Sequence, residues 1–189
     1  MKKMVLLLFA GTIALAQNTP PPRGKASIDA LASIDYGRPA LKGRSIEEMF
    51  KQLPADRIWR AGQNQVTILT AEQALLIGKS RIPAGKYSVY VHVGQTGDWS
   101  AILNKDLGVD LVTIWPKAPP QMAHEKWPYY TNYTEKIADQ EVARVPMKSE
   151  KLSVPVDLFT IELVPNKGGG TLKMSWGDRA ASVEIAPAK

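Results

Sequence analysis

A chain of 189 residues with 44% hydrophobic and 22% charged side chains can bury a core of its own and is too apolar to be disordered. The formal charge of +6 comes from 24 basic and 18 acidic residues that are interspersed, which argues against the dense basic face of a nucleic-acid binder. With no cysteine, disulfides, thiolate metal sites and cysteine nucleophiles are excluded, and stability has to rest on the core.

The first residues follow the order of a secretory signal: Lys2 and Lys3, the apolar run Met4 to Leu15, then Ala14-Leu15-Ala16 as a small-x-small cleavage site. Residues 1–16 are expected to be removed and the product exported, periplasmic or secreted. The apolar run is shorter than the ~20 residues a spanning helix needs, so no membrane span is expected in the mature chain. Residues 17–25 contain Pro20, Pro21 and Pro22 and read as an extended leader.

From Ala26 the pattern has period two, with Ile28, Ala30, Ala32, Ile34 and Tyr36 on one side, which predicts a half-buried strand ended by Gly37 and Pro39. Ser45 and Glu48 stand at capping-box spacing before Met49, Phe50 and Leu53, predicting one short helix over 45–53, stopped by Pro54. Strands are then expected at 65–70, 74–77, 86–93, 99–104 and 111–115, each bounded by turn residues. Residues 116–135 break this rhythm with four prolines and four aromatics, and are expected to lie over one end of the sheets. Strand patterns resume at 141–147 and 156–164, followed by a hairpin loop at 166–170, a strand at 172–176, a turn at Gly177-Asp178 and a last strand at 181–185. Many short strands, one helix and no βαβ rhythm predict an all-β, antiparallel two-sheet sandwich or jelly-roll-like domain over residues 26–187.

Familiar catalytic signatures are missing. Gly78-Lys79-Ser80 lacks the first glycine of a phosphate-binding loop, and no G-x-S-x-G elbow occurs. His92 and His124 match no compact metal motif, so neither a metal nor a cofactor is expected. Asp35, Asp98 and Asp106 sit at strand ends, where a turn-stabilising role is the ordinary one. The richest polar stretch runs from Arg38 to Arg60, with Arg38, Lys42, Arg44, Lys51, Arg57 and Arg60 against Glu47, Glu48 and Asp56. Arginine forks suit carboxylates and phosphates, and Trp59 beside Arg60 offers a stacking face. Arg38, Arg44, Arg60 and Asn64 are expected to converge at one end of the sheet, with Asp35 or a bound anion neutralising them. Trp127 and Tyr130 of the long loop are candidate walls for the same site.

The motifs Asp35-Tyr36-Gly37-Arg38-Pro39, Lys42-Gly43-Arg44, Trp59-Arg60-Ala61-Gly62-Gln63-Asn64 and Pro83-Ala84-Gly85-Lys86-Tyr87-Ser88, with Trp99, Ile102, Asn104 and Lys105, resemble those of the DUF2911 family. The resemblance implies an exported bacterial protein with an all-β fold and no assigned activity. Gly37 stands where the family usually has Ser, Gln63-Asn64-Gln65 where it has Ala-Asn-Glu, and residues 109–133 are longer than its usual connection. Gln65 therefore lacks the charge that an acid-base role at that position would need. The functional expectation is a non-catalytic binding or envelope module for a small polar or anionic ligand near Arg38, Arg44, Trp59, Arg60 and Asn64. Its alternatives are a periplasmic hydrolase using carboxylates or His92, and a structural envelope protein without ligand.

Overall fold

The computed structural model describes residues 23–128 and 132–188. The secretory signal, the first part of the leader and Tyr130 lie outside the described residues. The chain begins with a hairpin, β1 (Arg23–Ile28) and β2 (Ala32–Gly37). The single strand expected from Ala26 to Tyr36 is thus two strands, and Arg23 to Lys25 belong to the sheet and not to the leader. Ala30, at φ 56, makes the turn in the left-handed region without a glycine, so alternation runs through it unbroken.

Helix α1 (Ile46–Phe50) has the expected capping box: the Glu48 amide donates to Ser45 Oγ at 3.2 Å and the Ser45 amide to Glu48 Oε2 at 2.6 Å. After it come β3 (Ile58–Arg60), β4 (Ile68–Ala71), β5 (Leu75–Ile77), β6 (Ser80–Ile82), β7 (Gly85–Val93) and β8 (Trp99–Asn104). The expected strand at 111–115 is instead a single helical turn, α2 (Leu111–Ile114), that follows β9 (Val109–Asp110). Three apolar residues around Thr113 satisfy either period, and only Leu111 of α2 is buried. The long connection holds β10 (Lys126–Trp127), which pairs with β9, and then α3 (Tyr133–Lys136). It therefore carries structure of its own, and the helix at 46–50 is not the single helix expected. The chain ends with β11 (Glu141–Pro146) and two 19-residue strands, β12 (Lys148–Asn166) and β13 (Gly169–Pro187).

The strands form a seven-stranded antiparallel sheet in the order β1-β2-β4-β7-β8-β11, with β3 also on β7, and a four-stranded sheet, β12-β13-β5-β6. The sheets do not close into a barrel; they face each other as a sandwich. Tyr87, Val89, Val91 and Val93 of β7 enter the core between them, against a four-stranded face that includes Phe159, Ile161, Leu172, Met174 and Trp176. Trp59 stacks on Trp176 at 5.0 Å and 16° and meets Phe159 edge-on at 4.7 Å. The other face of β7 and β8 carries a satellite cluster of Ile58, Tyr90, Ile102, Tyr133 and Ile137. No helix among the described residues is long and apolar enough to cross a membrane.

Candidate functional site

The two glycine- and arginine-rich turns do meet, but through backbone. A Cβ on Gly37 would stand 2.0 Å from the Gln63 carbonyl, and one on Gly62 (φ +153) would stand 3.1 Å from the Gly37 carbonyl. Asn64 takes a left-handed φ of 63 in the turn that this contact builds. Arg38 donates from Nε to the Phe159 carbonyl at 3.3 Å and from Nη2 to Thr160 Oγ1 at 3.1 Å. Arg44 donates to the Leu41 carbonyl at 2.9 Å and the Ala40 carbonyl at 3.4 Å. Both guanidinium groups therefore fasten the 38–45 connection to itself and to β12, where Leu41 and Phe159 amides add bonds to Asp157 and Pro39. Asp35 is paired with Arg23 and, at 3.5 Å, with Lys25, so the carboxylate expected to balance Arg38 and Arg60 is held by the first strand. The expected convergence of four side-chain tips is not what these contacts describe: Arg38 and Arg44 spend their donors on carbonyls and a hydroxyl, and the cleft that Arg60 lines includes none of the other three.

Arg60 sits opposite Tyr90 across the β3–β7 pair, while Trp59 lies opposite Val91. Period-two alternation therefore separates neighbours in sequence: Trp59 enters the inter-sheet core and Arg60 faces the satellite cluster. Arg60 lines a cleft of about 210 Å³. Its apolar wall is Met49 of α1 with Leu53 and Pro54 after it, Ile58 and part of Trp59, and its polar wall is Gln52, Arg60, Tyr90, Asn132 and Tyr133.

Asn104, fully buried at the end of β8, organises the floor. Its Nδ2 donates to Tyr133 Oη at 2.9 Å and to the Ile137 carbonyl at 2.7 Å, while its Oδ1 accepts from the Asp106 amide at 2.7 Å. Tyr133 in turn donates to Glu141 at 3.2 Å, and Glu141 holds Arg144 through two bonds. Asp56 ties α3 to β3 by accepting from the Thr134 amide and hydroxyl and from the Ile58 amide. This network fixes the Tyr133 ring edge-on to Tyr90, centroids 4.8 Å apart. The Tyr90 hydroxyl itself is buried and meets no hydrogen-bond partner of normal geometry. Burial pushes the Tyr90 phenol well above its usual range, with Asp106 and Tyr133 acting in the same direction and Ser88 and Arg60 pulling back. The floor therefore presents a neutral hydroxyl beside a guanidinium.

Sequence reasoning missed Tyr90, Asn104 and Tyr133. A signal was present in β7, where the polar side of the alternation, Ser88-x-Tyr90-x-His92, holds a large aromatic that a solvated face does not need. Trp127 is buried near Gly108, donates to Glu125 at 3.3 Å and is not among the residues that line the cleft; Asn132 and Tyr133 of the same connection line it instead. His92 lies between Ile58 and Ser100 on the sheet, and His124 is an exposed partner of Asp110 at 3.1 Å. Among the described residues no group of three or more His, Asp or Glu could hold a metal ion.

The model of a protein family described as "Protein of unknown function (DUF2911)" matches residues 24–185, from β1 to near the end of β13. No curated protein and no solved structure matches the chain.

Proposed function

We propose, for a chain that belongs to the DUF2911 family, a non-catalytic binding role: the cleft beside α1 takes a small ligand with an apolar body and a hydrogen-bond-accepting head such as a carboxylate. The observation that carries this reading is the Tyr90 hydroxyl, buried without a partner beside Arg60 at the base of an apolar-walled cleft. An unanswered buried hydroxyl costs about 1–3 kcal/mol, and an accepting ligand atom would recover it. Arg60 supplies charge to the same atom, and Met49, Leu53 and Pro54 would cover an apolar ring, while the Gln52 and Asn132 amides beside it already donate to the Glu48 carbonyl and to Glu135. At about 210 Å³ the space suits a single ring and not a chain of residues.

The reading includes export, supported by the Lys2-Lys3, apolar run and Ala14-Leu15-Ala16 order. Mass spectrometry of the protein from an envelope fraction should give Gln17 as the first residue, and an intact Met1 there would remove this part. For the cleft, benzoate is the simplest probe. Saturating benzoate should raise the melting temperature, by an amount equivalent to about 2.7 kcal/mol at a hundredfold excess over Kd. Arg60→Ala should abolish that protection while lowering the ligand-free melting temperature less. The opposite ordering, or equal protection by benzyl alcohol, would make Arg60 a scaffold residue and end the proposal.

A further inference from the structure

At the opposite side of α1 lies a second cavity, of about 270 Å³, between the start of β8 and the bend of β13. Trp99 Nε1, Asp178 Oδ1 and Arg179 Nε all belong to residues that line it, and each of these atoms is buried without a hydrogen-bond partner. Folded proteins leave few such atoms, and two donors and an acceptor gathered in the walls of one cavity need an explanation. Trp99 is 2% exposed, so its indole N–H is not answered by bulk water.

The surroundings hold these groups in place. Arg179 donates from Nη2 to Glu47 Oε1 at 2.8 Å, a bond that does not use Nε, and this bond holds the Glu47 carboxyl below its usual range. A Cβ at Gly97, whose φ of +83 already favours glycine, would stand 2.5 Å from Arg179 Nη1, so the β7–β8 turn is shaped to admit the guanidinium. Gly177, at φ +59, lies where the β12–β13 register shifts between Lys151 and Val156, and this bend delivers Asp178 and Arg179 to the cavity.

We propose that this cavity binds one sugar ring through a pair of adjacent hydroxyl groups. A hydroxyl both donates and accepts, so two neighbouring hydroxyls can accept from the Trp99 and Arg179 N–H groups and donate to Asp178. Charge disfavours the other chemistries: an anion would face Glu47, Glu150 and Asp178, and a cation would face Arg179 and Lys151. The volume limits the occupant to a single ring. Lys151, its side chain 84% exposed and 3.7 Å from Asp178, lines the cavity at its solvent side. The site is separate from the Arg60 cleft and does not rest on it.

The test is a titration of the full ¹⁵N-labelled chain with D-galactose, D-glucose and myo-inositol, each up to about 50 mM, the range in which millimolar affinities saturate. The indole N–H signal of Trp99, assigned with Trp99→Phe, and the Nε–H signal of Arg179 should shift together and saturate with at least one of the three. Asp178→Asn and Arg179→Lys, which keep shape and the Glu47 contact respectively, should each weaken that binding about tenfold or more, the size expected for one lost hydrogen bond to a charged group. If either variant fails to fold, the other alone decides. Absence of a saturable shift with all three polyols, an equal shift with sodium sulfate or glycine, or full affinity in a folded variant would overturn the proposal. Displacement of the polyol by benzoate would do so too, because it would merge the two cavities.

Discussion

The two faces of β7 differ in how they treat polar atoms. On the face toward the four-stranded sheet, Tyr87, Val89, Val91 and Val93 join an aromatic core in which Tyr36 Oη donates to the Ile161 carbonyl at 3.1 Å and Trp176 Nε1 to the Asp157 carbonyl at 3.1 Å. On the other face Tyr90 is as buried as Tyr36, yet its hydroxyl has no such partner, and an arginine and a cleft stand beside it. Aromatic residues with answered polar tips hold the sheets together, whereas one whose tip is unanswered at the base of a cleft is available to a ligand. The contrast assigns Tyr36 and Trp176 to the scaffold and singles out Tyr90 for function.

The core face should give the largest effect when broken. Trp176→Ala removes a ring stacked on Trp59 and packed against Phe159, and should cost about 3–5 kcal/mol in a urea unfolding curve. A loss below about 1 kcal/mol would show that the two sheets do not depend on this stack. Asn104→Ala tests the other face. It leaves the Ile137 carbonyl and the Asp106 amide without their partners and frees one bond of Tyr133, for an expected loss of about 2–3 kcal/mol. Hydrogen exchange should show the loss concentrated at residues 133–140, with the strands of the core face protected as before.

A smaller effect is expected at the wall of the cleft. Ser45→Ala removes the acceptor of the Glu48 amide and should cost about 1 kcal/mol. Since Met49, Gln52 and Leu53 follow this helix start, benzoate protection should fall by more than the stability does. Equal losses would show that α1 does not shape the cleft.

Much of this fold was legible in the sequence, and the failures share a cause. Strand β8 falls on the expected residues 99–104, β7 begins one residue early, and the Ser45/Glu48 box forms as spaced, because local pattern alone fixes those elements. Gly177 reads as a turn and the strand pattern starts only at 156, yet Gly177 and Pro155 lie inside 19-residue strands, at the register shift where β12 and β13 leave the regular ladder and no amide of residue 155 is required. Gly37 reads in the sequence as a strand end and Gly62 as part of a motif, whereas both work by letting two backbones touch. Arg60 and Trp59 were read together because they are neighbours, and the pleat of β3 points them apart. Asn104, Tyr90 and Tyr133 come together only through the β3-β7-β8 order and the return of α3, which no window of sequence displays.

The smallest change in stability, and the sharpest test of the contrast, is expected from Tyr90→Phe. Removing a hydroxyl that meets no partner of normal geometry strands no other group, so at neutral pH the variant should match the parent or exceed it by up to about 1 kcal/mol. Tyr36→Phe, by contrast, strands the Ile161 carbonyl and should cost about 1 kcal/mol. The two phenols also separate with pH. Burial, followed by Asp106 and Tyr133, holds the folded Tyr90 phenol above the value of 10.0 that an unfolded chain shows. Above that pH the unfolded chain has released a proton that the folded one retains, so stability falls as pH rises. Tyr133 is shifted the same way, by burial first, and contributes with the same sign. Tyr90→Phe deletes one of these two contributions. Its stability should therefore decline less steeply than the parent's above about pH 10, the gap widening by up to about 1.4 kcal/mol per pH unit. Parallel alkaline unfolding curves for parent and variant would mean that the Tyr90 hydroxyl ionises as freely in the folded protein as in the unfolded one. The distinction between an answered and an unanswered face of β7 would then be lost, together with the binding role built on it.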